Sequence, residues 1–321
     1  MAIIDYRNLG TSGLRVSTIG LGCNNFGRAK TATATQEATT EVILAAIDAG
    51  VTLFDTADIY GAERGLSETL MGNSLKGRRD EVVLATKFGM DMGGANGPDW
   101  GARGSRRYIR RAVEASLTRL QTDWIDLYQL HQSDPLTPIE ETLATLDDLI
   151  TEGKVRYIGH SNLSGWQIAD AEYQAQLGSH AKFISAQNEY SLLERDVEFE
   201  VLPAVAHYGL GFLPFFPLYN GLFTGKYTRD GGPPEARLNA IKPEMLADAP
   251  WDALERYQSF CDERELTMLE ATFGWLLAQP GVTSVIAGAT SAAQIRQNAE
   301  ASTAWQPSEE DLAQISDLFP A

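Results

Sequence analysis

"IEETLATLDDLITEGKVRYIGHSN", residues 139–162, decides the fold. Residues 139–153 carry apolar side chains at helical spacing, and Gly153 stands where a glycine ends a helix. Residues 155–161 then form a short apolar run of strand length that closes on the polar pair Ser161 and Asn162. A helix that feeds straight into a buried strand is half of a βαβ unit, in which parallel strands are joined by covering helices. The same reading recurs along the chain. Strands are expected at 17–22, 52–55, 82–87, 125–131, 155–161, 182–188, 211–217 and 284–288, with further helices at 36–50 and 105–120. Eight such alternations close most economically into an α/β fold of the (β/α)8 TIM-barrel type, with a doubly wound open sheet as the alternative.

Three other stretches refine that expectation. "GLGCNNFG" (20–27) has Asn25 where the third glycine of a dinucleotide fingerprint belongs, which counts against the open sheet. "YRNLGTSGLRVS" (6–17) predicts a small N-terminal β-hairpin around Gly10 to Gly13, suited to plugging the bottom of a barrel. The connection after the seventh strand, from Leu218 to about Trp251, contains Gly231, Gly232, Pro233 and Pro234. A loop of that length is expected to act as a lid or a binding segment. No repeat beyond the β/α unit and no second domain is visible, so residues 1–321 are expected to form one domain.

Bulk properties exclude several functions. The formal net charge of -17 repels nucleic acid and anionic lipid, so a phosphate-bearing ligand must find local donors. No apolar run reads as a secretory signal or a membrane span, which predicts a cytoplasmic protein. Cys23 and Cys261 are too few for a disulfide framework, and the four scattered histidines suggest no metal site.

Active sites of such barrels lie at the C-terminal ends of the strands. Asp55 ends the second strand, Lys87 the third and His131 the fourth, and Tyr60 follows five residues after Asp55. Ser161 and Asn162 end the fifth, and Gln187 with Asn188 the sixth. Taken singly, each has a structural explanation as a helix cap, a solvated lysine or a packed ring. Their convergence on one rim is harder to dismiss.

These residues sit in longer motifs: "FDTADIYG" (54–61), "ATKFG" (85–89), "VEASLTRLQTDWIDLYQLHQSD" (113–134), "QNEYSLLERD" (187–196), "PLYNGLFTGKY" (217–227) and "VIAGATSAAQIRQNAEA" (285–301). Through them the chain resembles the aldo-keto reductase superfamily over nearly its whole length. The resemblance implies an NADP(H)-dependent oxidoreductase acting on a small-molecule carbonyl or alcohol, with NAD(H) as the alternative cofactor. It places the catalytic positions on Asp55, Tyr60, Lys87 and His131. Reduction of a carbonyl needs a proton for the developing alkoxide, and a Lys87 ammonium is expected to draw the phenol of Tyr60, ordinarily near pKa 10, toward the working range. Asp58 has no part in that scheme and reads as a loop or capping acid.

The resemblance also implies cofactor contacts. Gly22 lies at the cofactor rim, and Ser161, Asn162 and Gln187 face the nicotinamide carboxamide. Phe215 stacks on the ring, and Leu218, Gly221, Lys226 and Arg237 face the pyrophosphate. Gly288, Thr290, Gln294 and Asn298 lie near the adenosine and its 2'-phosphate. Gly288 and Gln294 stand where one branch of the family carries basic residues, and Ser291 with Gln294 forms an S-x-x-Q capping pattern that needs no ligand. Cys23, Asn24, Trp100 and Tyr219 are candidate pocket residues, and Gly93, Gly94, Gly97 and Gly101 suggest a flexible loop around Trp100. Two other classes compete. One is a nucleotide-binding regulatory subunit with slow turnover, and the other is a Schiff-base aldolase using Lys87, which pairing with Asp55 disfavours.

Overall fold

In the computed structural model, which describes residues 4–234, 236, 238, 239 and 242–321, each apolar run becomes one stave of a barrel. Strands β1 (Tyr6–Asn8) and β2 (Arg15–Ser17) form the expected antiparallel hairpin. The staves are β3 (Ile19–Gly22), β4 (Leu53–Asp55), β5 (Val83–Phe88), β6 (Ile125–Leu130), β7 (Val155–Ser161), β8 (Ser185–Gln187), β9 (Gly211–Phe212) and β10 (Val285–Gly288). All neighbouring pairs are parallel, in the order β10, β3, β4, β5, β6, β7, β8, β9. Parallel bridges from Phe212 to Val282 and from Phe215 to Ile286 close the ring. The seventh stave is shorter than the expected 211–217. Pro214 and Pro217 have no N–H to donate to a ladder, so pairing breaks after Phe212 and resumes only at Phe215.

The helices start and stop where local chemistry dictates. Thr35 and Ser105 accept hydrogen bonds from the first turns of α1 (Gln36–Asp48) and α3 (Arg106–Leu120), and Ser164 forms a capping box with Gln167 at α5 (Gly165–Gly178). Helix α4 (Ile139–Thr151) ends just before Gly153, whose φ of +78° suits a residue without a Cβ. Helix α2 (Leu66–Ser74) follows β4, and α6 (Val201–Tyr208) precedes β9. The connection after β9 contains a 3-10 segment, Tyr219–Thr224, and a short helix, Pro243–Ala247.

Two apolar layers result. The larger lies between staves and helices, where Leu84, Phe88, Tyr128 and Leu130 meet helix residues such as Ile109 and Val113. The smaller fills the barrel: Leu53, Ala85, Leu127, Leu213 and Ile286, closed from below by Leu9 and Val16 of the hairpin. The hairpin thus plugs the bottom and leaves the upper end for polar side chains. Arg7 fastens it by donating to the carbonyls of Leu277 (2.8 Å) and Val282 (2.9 Å).

Gly10 makes the close approach possible. It has φ +58°, and a Cβ there would collide with the carbonyl oxygen of Gly209 and lie 2.6 Å from the nitrogen of Gly211. Gly10→Ala is therefore expected to lower stability by about 1–3 kcal/mol in urea unfolding, and a loss under about 0.5 kcal/mol would show that the plug is not held by this contact.

Candidate active site

Side-chain alternation along the staves builds the upper end of the barrel. Leu53, Ala85 and Leu127 belong to the inner layer, so Asp55, Lys87 and Gln129, two residues further along each stave, face the same interior. The registers align Gly22 with Asp55, Asp55 with Ala85, and Lys87 with Gln129. Lys87 is fully buried. Its ammonium donates to Asp55 Oδ1 (2.8 Å) and Oδ2 (2.6 Å) and to the carbonyl of Thr56 (2.9 Å). Asp55 Oδ1 also accepts from Gln129 Nε2 (3.1 Å) and Gln187 Nε2 (3.0 Å). Gly159 leaves room for this arrangement, since a Cβ there would strike Ser185 Oγ and lie 3.4 Å from Gln129 Cγ.

Tyr60 and His131 complete the cluster. Lys87 Nζ lies 5.3 Å from the centroid of the Tyr60 ring. The His131 ring meets Tyr60 edge-on at 5.9 Å. Four residues expected at one rim are thus brought together.

Their protonation follows from burial and charge. Burial disfavours the Lys87 ammonium, but Asp55 and Tyr60 outweigh it and raise its pKa above the usual lysine value. Lys87 therefore stays cationic, unlike the free amine that Schiff-base chemistry requires. Burial raises the pKa of Tyr60 by more than Lys87 lowers it, which corrects the expectation of a depressed phenol. The hydroxyl keeps its proton at neutral pH. Burial, then the Lys87 charge, lowers His131 to about 3, so its imidazole is neutral, and its Nδ1 has no hydrogen-bond partner.

The other expected positions divide. Ser161 Oγ donates to the Gln187 carbonyl (2.7 Å), Asn162 Nδ2 donates to the His131 carbonyl (2.9 Å), and the Gln187 amide is turned onto Asp55. These three are wired into the frame of the site. Phe215 and Phe216 are half-buried at the rim, their rings 5.2 Å apart, rather than being barrel core. Phe216, Tyr219 and Asn220 have φ of +51°, +45° and +60°, the left-handed region, and Gly221 follows at +96°. Lys226 Nζ lies 3.4 Å from where a Gly221 Cβ would be, which brings a cation to this bend. Arg237 lies outside the described residues.

On the other side of the mouth, Gly22 pairs with Gly288 between β3 and β10. The helix Ala292–Ala301 begins three residues after Ala289, with Ser291 Oγ accepting from the Gln294 N–H (3.3 Å). Gln294 does not complete a capping box. Its Oε1 reaches one residue further and accepts from the Thr290 N–H (2.7 Å) and Thr290 Oγ1 (3.0 Å). Asn298 is buried in the second turn.

Among the candidate pocket residues, Cys23 is fully buried with Sγ against the Leu21 carbonyl, and Trp100 is 74% exposed, stacked on the guanidinium of Arg107. Sequence reading missed Gln129 as a partner of Asp55, and gave no role to Asn220. The buried amide oxygens of Asn24, Asn188 and Asn220 have no partner, so acceptors remain open for a ligand that carries N–H or O–H groups. Asp58 lies in the loop but is no cap: it is fully buried, and the N-cap of α2 is Gly65. Among the described residues no group of three His, Cys, Asp or Glu side chains forms a metal cluster, and no helix is long and apolar enough to cross a membrane.

Comparison with known proteins agrees with this geometry. The model of the Aldo/keto reductase family matches residues 18–319. The chain is 37% identical to a Bacillus subtilis protein described as "Uncharacterized oxidoreductase YrpG", over 99% of this chain and 96% of that one. It is 33% identical to the L-glyceraldehyde 3-phosphate reductase of Escherichia coli, over 97% and 91%. It is also 34% identical, over 93% and 91%, to an Arabidopsis thaliana protein named "Probable voltage-gated potassium channel subunit beta".

Two outcomes follow from the electrostatics. Asp55→Asn leaves the Lys87 ammonium buried without a counter-charge, and is expected to cost about 3–5 kcal/mol in urea unfolding. A loss below about 1 kcal/mol would mean that Lys87 is solvated. His131 and the fully buried His160 both have folded-state pKa values lowered to about 3 from 6.5. The folded chain therefore resists protons that the unfolded chain binds, and the associated stability is complete above pH 6.5 and lost as pH falls toward 3. His160→Leu should remove about one proton from the slope of unfolding free energy against pH in that window. An unchanged slope would place the imidazole of His160 in water.

Proposed function

The chain belongs to the aldo/keto reductase family, and on that premise we propose that it transfers a hydride between NADP(H) and the carbonyl carbon of an aldehyde or ketone, with Tyr60 as the proton donor. The observation that carries this reading is the buried Lys87 ammonium, held by both oxygens of Asp55 and lying 5.3 Å from the centroid of the Tyr60 ring. A bound nicotinamide supplies the hydride. Tyr60 gives its proton to the carbonyl oxygen as negative charge develops there, and the adjacent ammonium stabilises the phenolate left behind. Neutral His131 donates a hydrogen bond to the same oxygen. In the reverse direction Tyr60 takes the proton of an alcohol.

The surroundings fit such a cofactor. The open acceptors of Asn24 and Asn188 suit a carboxamide N–H, alongside Ser161, Asn162 and Gln187, with Phe215 at the ring face. Leu218, Gly221 and Lys226 at the bend suit a pyrophosphate. Gly22, Gly288, Thr290, Gln294 and Asn298 surround the start of the helix Ala292–Ala301, whose dipole favours an anion. Arg237 is proposed as a further cation for the phosphates. The likeness to a protein named as a channel beta subunit supports a second reading, a cofactor-binding regulatory subunit with slow turnover.

Purified protein mixed with NADPH and a panel of aromatic and aliphatic aldehydes should consume NADPH, with NADH run in parallel. Tyr60→Phe is expected to lower kcat by about 10²–10⁴-fold while NADPH still binds as in the wild type. Tight NADPH binding with no turnover across the panel would reject the reductase in favour of the regulatory subunit. A Tyr60→Phe variant of wild-type activity would reject Tyr60 as the acid.

A further inference from the structure

Asp58 lies two residues before Tyr60, behind the barrel wall, and is fully buried. Its N–H donates to the carbonyl of Lys87 (3.1 Å), and its Oδ2 accepts from Asn96 Nδ2 (3.0 Å). Asn96 belongs to the glycine-rich loop after β5 and is 6% exposed. Its other end is also engaged: Oδ1 accepts from Arg119 Nη1 (3.1 Å). Arg119 Nε donates to Glu68 Oε2 (2.6 Å), and Glu68 Oε1 accepts from Thr86 Oγ1 (2.6 Å). Ser67, beside Glu68, donates its N–H to the carbonyl of Tyr60 (3.1 Å). The series Thr86, Glu68, Arg119, Asn96, Asp58 thus begins next to Lys87 and ends next to Tyr60, on the opposite face of the wall from the site.

We infer that Asn96 is a positioning residue for Tyr60: its amide clips the loop after β5 to Asp58 and holds the Tyr60 segment at a fixed distance from Lys87. The inference rests on Tyr60 being the reacting hydroxyl. Position 96 must accept from a guanidinium at one end and donate to a carboxyl at the other, and a primary amide does both. An aspartate would meet Asp58 acceptor to acceptor, and an apolar residue would take away the partner of Asp58 Oδ2 and one of the partners of Arg119. Two acids share one guanidinium here, and burial together with Glu68 raises the pKa of Asp58 well above the carboxylate range. What Asn96 takes from Asp58 is an acceptor oxygen, Oδ2. Asp58 Oδ1 is buried with no partner, so Asn96 supplies the one side-chain hydrogen bond that fixes this carboxyl, and the reaction penalises misplacement of a proton donor by an ångström about a hundredfold.

The test uses the full-length protein with bound NADPH and compares the wild type with Asn96→Ala, Asp58→Asn and Asp58→Leu. Asn96→Ala and Asp58→Leu should each lower kcat about tenfold to a hundredfold, leave NADPH affinity unchanged and speed amide hydrogen exchange at residues 56–61. Exchange in β6 and β7 should stay slow. Asp58→Asn keeps an acceptor oxygen toward Asn96 and should retain wild-type kcat. Wild-type kcat and wild-type exchange at 56–61 in Asn96→Ala would overturn the inference, as would an Asp58→Asn variant as impaired as Asp58→Leu. Should the truncations fail to fold, the wild type and Asp58→Asn decide it: slow exchange at 58 and 60 in both supports the clip, and fast exchange at these amides in either refutes it. Absence of wild-type turnover would reject the reductase reading, and the exchange arm would still decide this one.

Discussion

An ammonium fully removed from water at the mouth of the barrel is the constraint around which the rest is arranged. A lone buried charge costs several kcal/mol, and it is tolerated only when opposite charge and acceptors surround it. Lys87 meets that condition with both oxygens of Asp55 and the carbonyl of Thr56, and Asp55 is in turn fixed by the amides of Gln129 and Gln187. Four staves, β4, β5, β6 and β8, therefore contribute to one ion pair. Gly159 on β7 adds nothing but space, which Ser185 Oγ of the next stave occupies. The polar upper layer depends on an apolar lower one, since Leu9 and Val16 close the barrel beneath it.

The ion pair also sets the character of its neighbours. Tyr60 keeps its proton because burial outweighs the lysine, and His131 stays neutral because both burial and the same lysine oppose its charging. The site therefore offers one fixed cation and two neutral groups beside it. Such a set can polarise a carbonyl and stabilise a developing oxyanion without titrating near neutral pH. It does so inside a chain of net charge -17, and the phosphate contacts proposed above are accordingly local: Lys226 at the bend after β9 and the amides that open the helix Ala292–Ala301.

The parts legible in the sequence are those written in short-range pattern. The alternation of strand and helix locates the eight staves to within a few residues, and the hairpin at Gly10 is readable because its turn chemistry is local. Asp55, Lys87 and His131 are legible because a strand end in a barrel is itself a position in space. Tyr60 becomes legible through its distance from Asp55. What stays hidden is pairing across long separations. Nothing local says that Gln129 reaches Asp55, 74 residues away, or that Arg119 meets Glu68, 51 residues away. Asp58 lies in a loop as expected, but its partner stays hidden for the same reason, since Asn96 is 38 residues further on. The direction of the Tyr60 shift also escapes sequence, because it is a balance between burial and a neighbouring charge, and burial is known only from the fold.

Alternation along β5 has a further consequence for how the site is held. Thr86 and Lys87 are consecutive, so they face opposite sides of the wall, and one stretch of backbone is fixed from within by Asp55 and from without by Glu68. The loop that follows divides accordingly. Asn96 is buried between Asp58 and Arg119, whereas Trp100 stands in solvent against Arg107, and Leu136 from the next loop is also exposed. Side chains at the exposed end can change without moving a hydrogen bond that reaches Lys87, and those at the buried end cannot. The buried end of the loop is therefore tied to Asp58 and Arg119, while its exposed end carries Trp100 against Arg107.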